Sequence, residues 1–213
     1  MPNSVVCARS VPIHAFASSI VSASLDGLVE MAVLADGSSV LLRPIQPEDE
    51  AAHRVFAAKI SREDSYLRFF QHLSPDGLHR LLFRFTHIDY EREMAFIAVT
   101  PDADEPETLG VVRAVRDVDS GSAEFAVLVR SDLKGLGLGA ILARKIIDYS
   151  RATGTRRLFG QILADNRRML RLLRKLGFHL ERVSSDTVEA SLDLQEGEPD
   201  ATQLRAPVHQ LPA

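Results

Sequence analysis

The sequence predicts a single α/β (α+β) domain, with a mixed and mostly antiparallel sheet flanked by helices. Three observations lead to this fold class. Apolar residues recur at helical spacing over positions 47–85, strand-like apolar segments follow one another over 94–129, and helical and strand-like segments alternate over 138–192. Strands joined by short turns pair antiparallel, and helices between strands cover the faces of a sheet. A length of 213 residues suits one such domain.

The first predicted elements are a hairpin and three helices. Residues 31–43 form the hairpin, because Asp36-Gly37 supplies the positive φ of a tight two-residue turn. Pro47 opens the first helix, where proline is tolerated; residues 61–70 form a short second helix, and Ser74-Pro75 begins the third. The apolar positions of these helices are Ala52, Val55, Phe56, Ile60, Tyr66, Phe69, Phe70, Leu78, Leu81, Leu82 and Phe85.

An antiparallel meander and a helix–strand alternation complete the predicted domain. The three meander strands lie at 94–99, 109–115 and 123–129. A long helix follows the glycine-rich segment at 135–139. The remaining elements are a strand at 158–163, a helix capped by Asp165 or Asn166 and ended by Gly177, and strands at 178–183 and 188–192.

Charge and cysteine content exclude several classes of function. The chain has 25 basic and 29 acidic residues, and this net charge of −4 argues against a dedicated nucleic-acid-binding protein. Cys7 is the only cysteine, which excludes an internal disulfide and fits a reducing, cytoplasmic location. The seven histidines lack metal-ligand spacing, so no metal site is predicted. No segment is long and apolar enough to predict a membrane span.

Both ends of the chain are predicted to lie outside the domain at 31–194. Residues 1–30 are expected to be a poorly ordered N-terminal extension. A secretory signal is the weaker interpretation, because serines and Pro12 interrupt its apolar residues. Residues 195–213 are polar and contain several prolines, so they are expected to form a C-terminal tail.

The strongest chemical signal is a glycine-rich loop between a strand and a helix. It consists of Lys134, Gly135, Leu136, Gly137, Leu138 and Gly139. Alternate glycines let the backbone approach a ligand, and amides at a helix N-terminus favour an anion such as a phosphate. Lys134 would add a mobile positive charge. The loop lacks the Gly-Lys-Ser/Thr of the Walker motif and the third glycine of the dinucleotide fingerprint, and a helix start without a ligand is the alternative interpretation.

The loop and a later helix together resemble the GCN5-related N-acetyltransferase (GNAT) superfamily, which uses acetyl-CoA. Lys134-x-x-Gly137-x-Gly139 resembles the Arg/Gln-x-x-Gly-x-Gly/Ala motif of that superfamily, and residues 166–178 resemble its Asn-containing helix ending in Gly-Phe. The order of elements over 40–192 agrees with this resemblance. It implies the GNAT fold and acetyl-CoA as cosubstrate.

Two shorter segments, at 66–70 and 88–95, look like parts of the acetyltransferase domain of bacterial Pat-type protein-lysine acetyltransferases. Those enzymes modify acyl-CoA synthetases. The resemblance therefore implies acetyl transfer to an amine, specifically a protein lysine. The alternatives are acetylation of a small-molecule amine and a catalytically silent CoA-sensing module.

Glu124 is the candidate general base. An amine that attacks a thioester must lose a proton, and a lysine is an ammonium at neutral pH. Glu124 is the single acid of an apolar strand, where it shares a face with Ala126 and Leu128, and apolar neighbours are expected to desolvate it. Similar enzymes place their base glutamate in the same Ala-Glu-Phe-Ala-Val strand. A strand-end carboxylate in solvent is the alternative.

The resemblance also implies roles for backbone groups and for Asn166. The backbone amides of Ala126, Val127 and Leu128 should bind the pantetheine arm, and one should polarise the thioester carbonyl. The loop at 134–139 should hold the pyrophosphate. Asn166 should either bond to the coenzyme arm or cap its helix.

Three features of the sequence do not indicate a single role. Many relatives carry a tyrosine that acts as general acid for the leaving sulfur, at the position where this chain has Leu173. No motif indicates that Tyr90 or Tyr149 takes over this role. The segment 151–182 contains nine basic and two acidic residues, which would either meet the 3′-phosphate of the coenzyme, bind an acidic partner or form a solvated helix face. The aromatic residues of the second helix are expected to belong to the core rather than to an acceptor groove.

Overall fold

Eight strands of the described residues form one mixed sheet. The computed structural model describes residues 25–71, 75–101, 103–117 and 119–195, with the backbone alone at 75–79. The strands are β1 (Glu30–Val33), β2 (Ser39–Pro44), β3 (Glu93–Val99), β4 (Thr108–Asp117), β5 (Ser122–Val129), β6 (Arg157–Leu163), β7 (His179–Arg182) and β8 (Thr187–Asp193). Their order in the sheet is β1-β2-β3-β4-β5-β6-β8-β7, and only β5 and β6 are parallel neighbours. The predicted fold class is confirmed.

In the part of the chain that the structure describes, five α-helices cover the two faces of the sheet. They are α1 (Glu50–Ala58), α2 (Arg62–Phe69), α3 (Pro75–Thr86), α4 (Leu138–Ala152) and α5 (Arg167–Lys175). Short 3-10 turns, Pro47–Asp49 and Ser131–Leu133, precede α1 and the glycine-rich loop. None of the helices in the described ranges is long and apolar enough to cross a membrane.

The main core lies between α4 and the sheet. Its sheet side chains include Leu42, Phe96, Val112 and Phe125, and α4 contributes Leu138, Leu142 and Ile146. Burial of a side chain such as Phe96, which is fully inaccessible, stabilises the fold by roughly 1.5–3 kcal/mol. A smaller apolar cluster, on the α1–α3 side, is formed by Ile45, Ala95, Ile97 and Val99.

The turn of the β1–β2 hairpin contains three residues rather than the predicted two. Leu34 N–H donates to the carbonyl of Ser38 at 2.8 Å, so residues 35–37 lie outside the ladder. Only Gly37 has a positive φ, of 86°. This is the common three-residue hairpin loop that ends in a left-handed glycine.

The buried faces of α1 and α2 differ from the predicted ones. In α1, His53 and Phe56 point inward, whereas Val55 is 52% exposed. In α2, Tyr66 and Phe70 are exposed, so their expected place in the core is wrong. Helix α2 has only two turns, and its inward position at the first turn is occupied by Asp64. The buried positions therefore include two polar residues, His53 and Asp64, which the apolar spacing did not identify.

The described fold begins before residue 31. Leu25 and Leu28 pack against the main core, and Glu30 pairs with Leu42 in the β1–β2 ladder. These residues belong to the stretch predicted as a poorly ordered extension. At the other end, Leu194 is buried and its N–H donates to the carbonyl of Arg156 at 2.8 Å. Residues 1–24 and 196–213 of the predicted tails lie outside the described residues.

Candidate active site

The candidate site lies where β5 and β6 diverge. These parallel strands pair only over residues 122–124 of β5 and 157–159 of β6. Beyond Glu124, β5 continues to Val129 beside β4 alone. We call the space between the separated strands the splay groove; its volume is about 870 Å³, and it is bounded by β5, the 133–139 loop, α2 and α5. One edge of β5 therefore faces an open groove.

The β4–β5 register decides which backbone amides face the splay groove. Arg130 N–H donates to the carbonyl of Leu109 at 2.9 Å, in register with the ladder. Hydrogen-bonded pairs alternate along an antiparallel ladder, so the N–H groups of Leu128 and Ala126 point to β4 and that of Val127 points to the groove. Of the three amides expected to bind the pantetheine arm, the register therefore directs that of Val127 into the groove and those of Ala126 and Leu128 toward β4.

The glycine-rich loop presents a run of backbone donors to the groove. The N–H groups of residues 134–139 donate to no acceptor in the described part of the chain, whereas those of Ala140 and Ile141 bond to the carbonyl of Gly137. Gly135 and Gly137 have φ values of 101° and 90°, which only glycine adopts readily. Because these N–H groups lie at the positive end of α4, they form a site for an anion.

Lys134 does not offer a free charge at the loop, contrary to expectation. Its ammonium is ion-paired with the buried carboxylate of Asp64 in α2. The hydroxyl groups of Ser131 and Ser61 donate to the same carboxylate. Burial alone would raise the pKa of Asp64, but these three hydrogen bonds lower it below its ordinary value. Lys134 therefore holds the loop against α2.

Positive charge at the groove comes instead from α5. Arg167, Arg168, Arg171 and Lys175 line the splay groove, and none has an ion-pair partner among the described residues. A β-carbon placed at Gly135 would lie 3.4 Å from Nη2 of Arg168. In the sequence, these residues were indicated only by the excess of basic over acidic residues at 151–182. It did not show which of them face the loop, because that depends on how α5 packs.

Asn166 and Leu173 have defined places on α5. Oδ1 of Asn166 accepts a hydrogen bond from the N–H of Met169 at 3.1 Å, so this oxygen caps the N-terminus of α5. The Asn166 side chain also lines the groove. Leu173 is completely buried in the main core, and a leucine supplies no proton.

None of the three tyrosines lines the splay groove. Tyr90 donates to the carbonyl of Ile45, and Tyr149 packs edge-on against Phe96 with ring centroids 5.6 Å apart. Burial raises the pKa of both phenols. Tyr66 is exposed on α2. The groove therefore contains no phenol to act as an acid.

Glu124 lines the splay groove at the last position where β5 pairs with β6. Its carboxylate is exposed to solvent, which corrects the expectation that apolar neighbours desolvate it. Period two places its side chain on the face of Ala126 and Leu128, as predicted. Arg68 of α2 lines the same groove; burial lowers the pKa of its guanidinium, and the negative charge of Glu124 opposes that shift.

A second space adjoins the groove beneath the helices. This α1–α3 cavity has a volume of about 520 Å³ and lies between α1, α2, α3 and the sheet. It shares four lining residues with the splay groove: Arg68, Phe69, Ala126 and Leu128. Phe69 borders both the cavity and the groove, whereas Phe70, which follows α2 directly, borders the groove alone. The two spaces meet beside the middle of β5.

The sequence matches a known family of acetyltransferases. A family model described as an acetyltransferase (GNAT) domain matches residues 39–179. An acetyltransferase of Pseudomonas aeruginosa is 34% identical over 156 residues, which cover 73% of this chain and 83% of that protein.

Solved structures show the same architecture. The GNAT domain of S. lividans PAT has a TM-score of 0.68 and 27% identity, and the match covers 78% of this chain and 97% of that domain. A cAMP-binding acyltransferase from Mycobacterium smegmatis shares the fold, with a TM-score of 0.54 and 21% identity over 88% of this chain and 54% of that one.

Proposed function

The chain belongs to the GNAT acetyltransferase family, and we propose that it transfers the acetyl group of acetyl-CoA to the side-chain amine of a protein lysine. The observation that most supports acetyl-CoA as the donor is the run of unpartnered N–H groups at 134–139, in the groove that Glu124 also lines. The resemblance of residues 66–70 and 88–95 to Pat-type protein-lysine acetyltransferases supports a protein acceptor. The catalytic unit is proposed to span residues 25–194.

The coenzyme is proposed to bind along the splay groove. Its diphosphate would accept hydrogen bonds from the N–H groups of the glycine-rich loop, with Arg168 beside them. Its pantetheine arm would follow the free edge of β5, where the N–H of Val127 points into the groove. This direction brings the thioester toward Glu124.

The proposed reaction is direct attack of the amine on the thioester. Glu124 accepts the proton of the amine, since its solvent-facing carboxylate is reachable from outside the groove. The N–H of Val127 stabilises the negative charge that develops on the thioester oxygen. The sulfur leaves as a thiolate, which a thiol pKa near 8.5 permits close to neutral pH, so no acid at Leu173 is required.

Acetylation of a cell lysate tests the acceptor class. The protein is incubated with labelled acetyl-CoA and lysate, and labelled lysines are mapped by mass spectrometry, with a Glu124→Gln variant as the control. Label on defined protein lysines that requires Glu124 supports the proposal. Label only in small amines contradicts the protein acceptor, and no transfer despite acetyl-CoA binding indicates a silent sensing module.

A further inference from the structure

Three arginines border the α1–α3 cavity, and no carboxylate does so among the side chains that the structure describes. Arg62, Arg68 and Arg113 lie among walls that are otherwise mainly apolar or aromatic. An apolar ligand alone needs no charged side chains, and a cationic ligand would be repelled by them. The cavity is therefore suited to a ligand that is partly apolar and partly anionic.

The two inner arginines differ in how their charges are balanced. Arg113 is 8% exposed, ion-pairs with Glu93 and lies 4.5 Å from the ring centroid of Phe85. Arg68 lies 5.0 Å from the ring centroid of Phe69 and has no hydrogen-bond or ion-pair partner among the residues that the structure describes. Burial, with the charges of Arg68 and Arg84 adding to it, lowers the pKa of Arg113. An anion beside Arg68 would relieve this repulsion between guanidinium groups.

His53 supplies an independent sign of a missing ligand. It borders the cavity, is 2% exposed, and its buried Nδ1 has no hydrogen-bond partner in the described structure. Burial and the charge of Arg113 lower its pKa to about 4, so the ring is neutral at physiological pH. Leaving a buried polar atom unpaired is unfavourable, and native structures usually provide a partner for it. A polar ligand atom in the cavity would be such a partner.

We propose that the α1–α3 cavity binds the acyl chain of an acyl-CoA whose chain ends in a carboxylate, such as a succinyl or glutaryl group. This inference rests on the proposed function, because the groove must hold the CoA part. Arg68 contacts the carboxylate, and the apolar walls pack on the methylene groups. The shared residues Ala126 and Leu128 place the mouth of the cavity beside the strand that holds the thioester.

The acceptor amine fits the cavity less well than the acyl chain. Before it loses its proton the amine is an ammonium, which three guanidinium groups repel. Glu124, its proposed base, borders the splay groove and not the cavity. The amine therefore approaches from the solvent side, and the chain of the acyl group points inward.

The transfer step is the same as for acetyl. The amine nitrogen forms a bond to the carbonyl carbon, the carbon–sulfur bond breaks, and its electron pair leaves with the CoA sulfur. The proton of the amine passes to Glu124. The terminal carboxylate takes no part in bond making, so the product is an amide that carries a negative charge in place of the lysine's positive one.

Non-reactive thioethers of CoA test the pocket directly. Calorimetry compares S-(3-carboxypropyl)-CoA with S-butyl-CoA, which has a chain of the same length without the charge. We expect the carboxylate compound to bind about tenfold more tightly to the wild-type protein. Arg68→Met should reduce this preference to less than about twofold, whereas Arg54→Met, on the exposed face of α1, should retain it.

The outcomes separate this inference from the proposed function. If acetyl-CoA and both thioethers bind with no preference for the carboxylate, the acyl-chain pocket is disproved and the acetyltransferase proposal remains. If no CoA compound binds, both fail. If acetyl-CoA turnover instead selects carboxylate-bearing amines over their amides in an Arg68-dependent way, the cavity holds the acceptor and the acyl assignment is overturned. The wild-type comparison decides the matter even if Arg68→Met does not fold.

Discussion

The ammonium of Lys134 pairs with the carboxylate of Asp64, joining the glycine-rich loop to α2. The Asp64 side chain is 7% exposed, and Ser61 and Ser131 donate to its Oδ2. The amide of Ser61 also donates to Oγ of Ser131 at 2.8 Å. Residues from both sides of the loop entrance are thus tied to one buried carboxylate, which fixes the loop before any ligand binds.

Replacing Lys134 should lower stability more than it lowers coenzyme affinity. Lys134→Met leaves the buried carboxylate of Asp64 without its cation, and we expect a loss of about 1–3 kcal/mol in the free energy of unfolding by urea. Lys59→Met, which breaks an exposed pair with Glu107, should cost less than about 1 kcal/mol. Unchanged stability together with a large loss of acetyl-CoA affinity would show that Lys134 binds phosphate instead.

Stability should decline at acid pH through Asp64. The hydrogen bonds from Lys134, Ser131 and Ser61 outweigh burial and lower the pKa of this carboxyl. A group whose pKa is lower in the folded state stabilises above its unfolded pKa, about 3.9, and this contribution disappears as pH falls through the folded value. The stability difference between the wild type and Asp64→Asn should therefore be constant near neutral pH and shrink below about pH 3.9. Urea unfolding across that range measures it; a difference independent of pH contradicts the assignment.

The three loop glycines should not be equivalent. Gly135 and Gly137 have positive φ, so Gly137→Ala should cost about 1–2 kcal/mol in stability and weaken acetyl-CoA binding by distorting the loop. Gly139 is helical, and a β-carbon there would meet Leu172 and Val129 at 3.6 and 3.7 Å, which are ordinary contacts. Gly139→Ala is thus expected to leave stability within about 0.5–1 kcal/mol of the wild type or to raise it. Equal losses in thermal and binding measurements for both variants would argue against this difference.

Much of the fold was predictable because its signals are local. The spacing of apolar residues indicated all eight described strands. The requirement for a positive φ indicated the turn at Gly37 and the helix end at Gly177. The inward position of Asp64 was not predictable, since its carboxylate is buried against a cation, Lys134, that lies 70 positions later in the chain.

Part of the site was predictable because some of its motifs are contiguous in the sequence. The loop at 134–139 and Glu124 were identified from motifs that are contiguous in the sequence. The partner of Lys134 lies 70 positions earlier, and the approach of Arg168 to Gly135 depends on how α5 packs, so no spacing indicates either. Which N–H groups of β5 point to β4 and which point to the groove follows only from the β4–β5 register, which the sequence does not show.

Removing the proposed base should separate binding from turnover. Glu124→Gln retains shape and hydrogen bonding but cannot accept a proton, so kcat should fall by about 10²–10⁴ while acetyl-CoA affinity stays the same. Glu181→Gln, at an exposed position of β7, is the matched control and should leave kcat unchanged. Wild-type turnover in Glu124→Gln would assign the proton transfer to another group.

The most direct test is a calorimetric titration that compares acetyl-CoA with acetyl-pantetheine, which has the same thioester and arm but lacks the diphosphate and the 3′-phosphoadenosine attached to it. Because unpartnered N–H groups at 134–139 are proposed to bind the diphosphate, we predict measurable heat with acetyl-CoA and at least about a hundredfold weaker binding of acetyl-pantetheine. Equal affinity for the two compounds, or no heat with acetyl-CoA on folded protein, would contradict the account.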